Sequence, residues 1–234
     1  MYSNQQIRQA VQDGHIIIEP FNDKHIAGSS VDVTLGHYYF KVEDHQEPRV
    51  YNPFDEKEVQ RYFSGPFEAI PHQAWIKERG IPKFANIPPN HPVIVLRPGE
   101  RILAHTHEFI GIKAPGTSTM QARSTWGRNG VAVCLDAGWG DPGYINRWTM
   151  EICNINQYEA VVLPVGERIA QLVFYETGEV DGEYTKLSGK YQLSGSLDLK
   201  KVIANWTPQQ MLPRAYKDTR ILPTPIKGLR KDLK

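Results

Sequence analysis

Residues 121–154, QARSTWGRNGVAVCLDAGWGDPGYINRWTMEICN, leave this chain few folds to choose from. The run 147–153 repeats with period two, with Trp148, Met150 and Ile152 on one side and Thr149, Glu151 and Cys153 on the other. Successive side chains of a β-strand point to opposite faces, so this is the pattern of a half-buried strand. Upstream lie a compact basic turn at 123–128, an apolar segment at 131–135, and a tight Gly- and Pro-bearing turn at 136–144. A carboxylate in mid-strand is unusual. Two readings of Glu151 stay open at this point. It is either a solvated side chain or an acid/base lining a pocket beside Arg123, Ser124 and Arg128.

The rest of the chain extends the strand pattern. A short helix is expected over 3–13, with Ser3 as N-cap, Gln6 three residues on, and Gly14 as the stop. Strands are expected at 16–18, through the alternating Val31, Val33 and Leu35, and again at 37–42. Further strands are expected at 93–96, 101–104, 109–112, 160–163 and 168–175. The turns in LRPGERILA (96–104) and LPVGERIAQ (163–171) echo each other and predict two similar hairpins. Short strands at this spacing, with 19 Gly and 17 Pro spread between them, argue a β-barrel or sandwich.

From 45 to 92 the character changes. Prolines at 48, 53, 66, 71, 82, 88, 89 and 92 predict that no regular sheet forms there. Helical pieces are expected at 55–63 and at 73–79, the second stopped by Gly80. Phe54, Tyr62, Phe63, Phe67 and Trp75 are too apolar for a linker, so the stretch reads as an ordered insertion packed on the main body. The whole of 1–234 therefore reads as one domain, carrying the 45–92 insertion and a polar C-terminal extension at 200–234, whose last residues are expected to be a solvated end.

Composition excludes several classes. The net charge of +1 gives no global field for nucleic acid or an anionic membrane. No apolar run approaches a membrane span, and the first residues lack the apolar centre of a signal peptide, so a cytoplasmic protein is expected. Cys134 and Cys153 lie in apolar runs and read as buried free thiols, with no spacing for zinc. No GxSxG elbow, GxxxxGK[ST] loop or HxE…PCxxC zinc-deaminase set is present. What remains suits a nucleoside triphosphate. Arg123 can bond phosphate through two prongs, Ser124 and Thr125 add hydroxyls and a nest of backbone N–H groups, Asp141 can accept from a sugar hydroxyl, and Tyr144 can face a deoxyribose. Taken singly, the same residues read equally as a basic surface loop and an Asx turn with a packed aromatic.

In combination they resemble the dCTP deaminase family, within the superfamily it shares with trimeric dUTPase. The resemblance runs in order through GHIIIEPFNDKHIAGSSVDVTLG, LRPGERILAHTHEFI, ARSTWGRNGV, DAGWGDPGYINRWTMEICN, LPVGERIAQLVF and, faintly, GKYQ. It implies a mainly-β, distorted β-barrel or jelly-roll-like body of dUTPase type, assembled as a homotrimer with sites at subunit interfaces. It implies that Glu151 is the general base at cytosine C4, with Arg128, Ser124 and the Ala137 carbonyl holding water and ring. Arg123, Ser124, Thr125, Gln171, Tyr184, Lys190 and Gln192 would hold the phosphates, and Asp141 and Tyr144 would read the sugar. Magnesium would arrive with the triphosphate, and no resident zinc or other metal is implied.

At the position of Glu151 dUTPases typically carry an apolar residue, so the resemblance favours deamination. Gly127, Asn129, Asp136 and Leu193-Ser194 depart from the family pattern. The resulting expectation is zinc-independent hydrolysis of dCTP to dUTP and ammonia, the loss of Gly-Gln after GKYQ favouring dUTP. The alternatives are a bifunctional enzyme that continues to dUMP, a plain dUTPase, and a non-catalytic nucleotide-binding protein.

Overall fold

The alternating apolar runs become strands, which dominate the computed structural model; it describes residues 1–43, 49–80, 83–135, 137–181, 191 and 198–218. In chain order, α1 (Asn4–Gln12) leads to β1 (Ile16–Glu19), β2 (Ile26–Ala27) and β3 (Ser30–Val42). The proline-rich region holds α2 (Glu56–Tyr62), β4 (Phe63–Glu68), β5 (Ile70–Pro71) and α3 (His72–Arg79). Then come β6 (Pro92–Leu96), β7 (Arg101–Ile112), β8 (Thr117–Ala122), α4 (Ser124–Arg128), β9 (Val131–Ala132), β10 (Trp139–Gly140) and β11 (Ile145–Asn154). The last elements are β12 (Val161–Pro164), β13 (Arg168–Tyr175) and α5 (Leu199–Asn205).

Among the described residues, ten strands form one sheet, ordered β10-β8-β13-β3-β7-β11-β9, with β1 added on β7 and β2 and β4 on β3. A second sheet is β12-β6-β5. The long β3 joins the two halves of the large sheet: Val31 stands opposite Leu172 of β13, while Phe40 stands opposite Leu103 of β7. The result is mainly β, as the sequence predicts, and the expected distorted barrel takes the form of a curled half-barrel sheet. Inside it lies a core that includes Ile102, Ala104, Trp148, Met150, Ile152 and Phe174.

The N-terminal helix forms as expected. Ser3 and Gln6 make a reciprocal capping box, a device worth about 0.5–2 kcal/mol. α3 ends on Gly80, in the left-handed region at φ 62°. Four expectations need correction. Residues 30–42 are one strand, not two, because Gly36 is a contact rather than a break: a Cβ there would stand 2.0 Å from the His105 ring. Residues 101–112 are likewise one strand. The echoing turns do not close hairpins. β6 and β12 pair with each other, with Val161 opposite Leu96, while β7 and β13 enter the large sheet, so each turn connects the two sheets. Finally, the 45–92 insertion does contribute regular sheet, since β4 pairs with β3 along its outer edge, where Pro66 needs no ladder donor.

The face of the large sheet turned away from the core is also covered. Phe40 and Leu103 pack there with Val59 and Phe63 from the insertion and Met211 from the C-terminal segment. Trp206 fixes that segment. Its ring lies 4.8 Å from the His105 ring and 4.6 Å from the Arg147 guanidinium, which also lies 4.8 Å from the Phe109 ring. Such cation–π contacts contribute about 0.5–2 kcal/mol. The end expected to be solvated, residues 227–234, lies outside the described residues.

Candidate active site

β11 shows the predicted alternation: Trp148, Met150 and Ile152 are buried in the core, while Thr149, Glu151 and Cys153 face outward and are half-buried. The register slips between Arg147 and Thr149, and the Thr106 hydroxyl accepts from the Trp148 N–H at 2.9 Å, so the bulge leaves no orphaned donor. Trp148 is further fixed by its indole N–H, which donates to the Ile110 carbonyl at 2.9 Å. The strand thus presents Glu151 on the face that the insertion and the C-terminal segment cover.

There Glu151 lines a cavity of about 550 Å3. Ala137, Asp141 and Tyr144 line it too, as do Tyr51, Tyr62 and Phe63 of the insertion, Arg101 and Leu103 of β7, and Met211. Glu151 Oε2 is buried and has no hydrogen-bond partner. Burial pushes the carboxyl pKa up to about 7, opposed by its own backbone N–H and by the Arg101 charge. A carboxyl in this state is ionised in part at neutral pH and can both take and return a proton.

The turn beside it is built on close approach. A Cβ on Gly138 would meet the Met120 carbonyl oxygen at 2.1 Å, and one on Gly140 the Trp148 ring at 2.4 Å. The Trp139 indole donates to Asp141 Oδ1 at 3.1 Å, and the Tyr144 ring stands edge-on to Trp148 at 5.6 Å. Asp141 is exposed and Tyr144 half-buried at the cavity.

The expected phosphate residues form a second group. Arg123 caps α4, and its Nε lies 3.4 Å from Asp32 Oδ1. Asp32 also takes Arg168 Nη1 at 3.0 Å and the Gln171 amide at 2.9 Å. Ser124, Thr125 and Arg128 are exposed on α4. None of Arg123, Ser124, Thr125, Arg128 and Gln171 lines the Glu151 cavity. Within one chain, therefore, the pocket beside Glu151 does not contain the expected Arg123, Ser124 and Arg128, and its cation is Arg101. Tyr184, Lys190, Gln192 and Asp136 lie outside the described residues. Cys134 is buried and Cys153 half-buried, both as free thiols. Among the described residues, no group of three or more His, Cys, Asp or Glu stands together as a metal cage, and no helix is long and apolar enough to cross a membrane.

Sequence reasoning missed Asp32, Arg101, Tyr51 and Tyr62. Asp32 carried a signal, as a charged residue between two core valines. Arg101 carried a weaker one, as a charged residue two positions before Leu103 on the same strand face. The tyrosines carried none, because their place over the sheet is set by tertiary packing.

A family model described as dCTP deaminase-like matches residues 1–177. The chain belongs to the dCTP deaminase-like family. Among its relatives, three named "dCTP deaminase, dUMP-forming" illustrate the distance. The protein of Methanopyrus kandleri is 28% identical over 196 residues, covering 81% of this chain and 89% of its own length. That of Methanosphaerula palustris is 30% identical over 189 residues, covering 80% and 87%. That of Dictyoglomus turgidum is 31% identical over 194 residues, covering 80% and 86%. A crystal structure of 2′-deoxycytidine 5′-triphosphate deaminase from Agrobacterium tumefaciens superposes with a TM-score of 0.50 at 17% identity, over 74% of this chain and 47% of that one. The present chain thus spans less than half of that solved chain, and the likeness shows the fold. The dUMP-forming names of these relatives favour the alternative product over the dUTP expected from the chain's last motif.

Proposed function

We propose that this family member hydrolyses dCTP to deoxyuridine nucleotide and ammonia, and carries the product on to dUMP and pyrophosphate. The observation that carries the deamination is Glu151, a half-buried side chain whose Oε2 is buried without a hydrogen-bond partner, in a cavity it shares with Ala137, Asp141 and Tyr144. Ionised Glu151 takes a proton from water as the oxygen bonds to cytosine C4. Glu151 delivers that proton to the ring nitrogen N3, then carries the proton of the new C4 hydroxyl to the amine, and the C4–N4 bond breaks to release ammonia and leave the C4 carbonyl of the uracil ring. The Ala137 carbonyl and Tyr144 would hold the ring and sugar. Asp141, exposed at the mouth, would orient the second water, which attacks the α-phosphorus and frees pyrophosphate.

The second step is supported by the names of the relatives, and dUTP as final product is supported only by Leu193-Ser194 replacing the usual Gly-Gln. The phosphate-holding roles of Arg123, Ser124, Thr125, Gln171, Tyr184, Lys190 and Gln192, and that of Arg128 at the ring, belong to the same proposal. Because Arg123 and α4 lie away from the cavity of their own chain, the proposal includes a homotrimer in which α4 of one copy completes the cavity of the next. No protein cage for a cation stands among the described residues, and the buried Asp32 is already engaged by Arg123, Arg168 and Gln171, so magnesium would be held by phosphate oxygens and water. Chromatography of a reaction with dCTP, with ammonia measured in parallel, tests this. Equal dUMP, pyrophosphate and ammonia from the first turnovers are expected. Accumulating dUTP refutes the second step, and no ammonia refutes deamination.

A further inference from the structure

The roles assigned so far leave one wall of the Glu151 cavity unexplained. Among the described residues, the titratable groups that line the cavity with Glu151 are Arg101 of β7, Tyr51 and Tyr62 of the insertion, Asp141 and Tyr144 of the turn, and Tyr191 of the C-terminal segment. On β11 itself, Cys153 shares the outward face. Arg101 is the cation among these lining residues. The β7–β11 register puts Leu103 opposite Glu151 and Arg101 opposite Cys153, so Arg101 is the diagonal neighbour of Glu151 on one sheet face, within reach of a long side chain.

Its guanidinium is not left to wander. Nη2 donates to Tyr62 Oη at 3.2 Å, and the Tyr62 ring stacks on Tyr51 with centroids 4.2 Å apart and planes 15° apart. Both rings pack against the outer cluster built on Phe40, Val59, Phe63, Leu103 and Met211. The insertion thus holds a positive charge on the same face as the buried carboxyl.

We propose that Arg101, aimed by Tyr62 from the insertion, is a positioning residue that keeps the Glu151 carboxylate ionised for proton abstraction. Its catalytic meaning rests on the deamination reading, whereas its electrostatic content does not. Burial favours the neutral acid and Arg101 favours the anion, so removing the cation strengthens the effect of burial. The test is a carbon-13 NMR titration of the full chain carrying 13C-glutamate, with Glu151→Gln used to assign the signal. Arg101→Gln should raise the Glu151 midpoint by about one pH unit. Arg101→Lys, which restores the charge, should return most of that rise, and Tyr62→Phe should raise the midpoint part of the way. The acidic limb of dCTP deamination should move with the midpoint in each variant. An unchanged midpoint in folded Arg101→Gln overturns the proposal whatever happens to activity. If that variant does not fold, an unchanged midpoint in Tyr62→Phe overturns it. If the midpoints move as stated while the parent protein releases no ammonia from dCTP, the deamination reading fails and the assignment of Arg101 stands.

Discussion

The Glu151 proton is held more tightly in the folded chain than in the unfolded one. Its pKa is about 7 in the fold against an ordinary glutamate value of 4.5, chiefly because burial penalises the anion. The stability that the neutral acid contributes is complete below pH 4.5 and is lost as the pH climbs through about 7. Glu151→Gln is neutral throughout. It should therefore melt at nearly the parent temperature at pH 4 and several degrees above it at pH 8. Thermal melts at the two pH values check this, and equal melting at pH 8 would place the carboxylate in water. The same variant should lose about 10²–10⁴-fold in deamination while still binding dCTP, measured by calorimetry beside turnover. Near-normal turnover removes Glu151 from the mechanism. The residue whose replacement should stabilise the fold is thus the one that the proposed chemistry would need buried.

At the scale of elements, two glycines separate packing from propensity. Gly36 in β3 lies against the buried His105 ring, whose Nδ1–H donates to the Thr106 carbonyl at 2.8 Å and whose Nε2 accepts from the Tyr38 N–H at 3.2 Å. That ring cannot yield without breaking both bonds. Gly36→Ala should cost about 1–3 kcal/mol in denaturant unfolding. Gly127 in α4 faces open space, with nothing within 4 Å of an added Cβ. Gly127→Ala should leave stability unchanged or raise it by up to about 1 kcal/mol. The reverse order of the two would show that strand propensity, not the His105 contact, governs β3. The sequence made α1, β11 and β13 legible because caps and period-two burial are local signals. It misdivided β3 and β7, where a glycine and a polar patch imitate turns, and it paired the two Gly-Glu-Arg turns wrongly because strand partners are chosen across the whole molecule.

At the scale of the molecule, the cavity wall and the α4 surface are separate within one chain, and the reading of the site as shared follows from that separation. Arg128→Ala and Glu151→Gln should each be inactive alone. Mixed and allowed to exchange subunits, they should regain activity at roughly a quarter of the sites, since each working site then takes Glu151 from one parent and Arg128 from the other. Activity after exchange, read beside sedimentation, checks this. An active monomer, or no recovery in a proven mixed trimer, ends the shared-site reading. The insertion and the C-terminal segment matter at this scale too, because they turn an outward sheet face into a lined cavity.

The sequence by itself determined the mainly-β class, the period of β11 and hence the face that carries Glu151, and the ordered motifs that place the chain in its family. These are properties of neighbouring residues, written in alternation, capping and turn chemistry. Tertiary structure alone decided what lies over that face: Tyr51 and Tyr62 from one region, Met211 from another, and Arg101 rather than Arg128 as the cation beside the carboxyl. It also decided that Asp32 gathers Arg123, Arg168 and Gln171. The reason is physical. A side chain's face follows from the backbone period, but its surroundings, and with them its pKa, follow from packing between segments far apart in the chain.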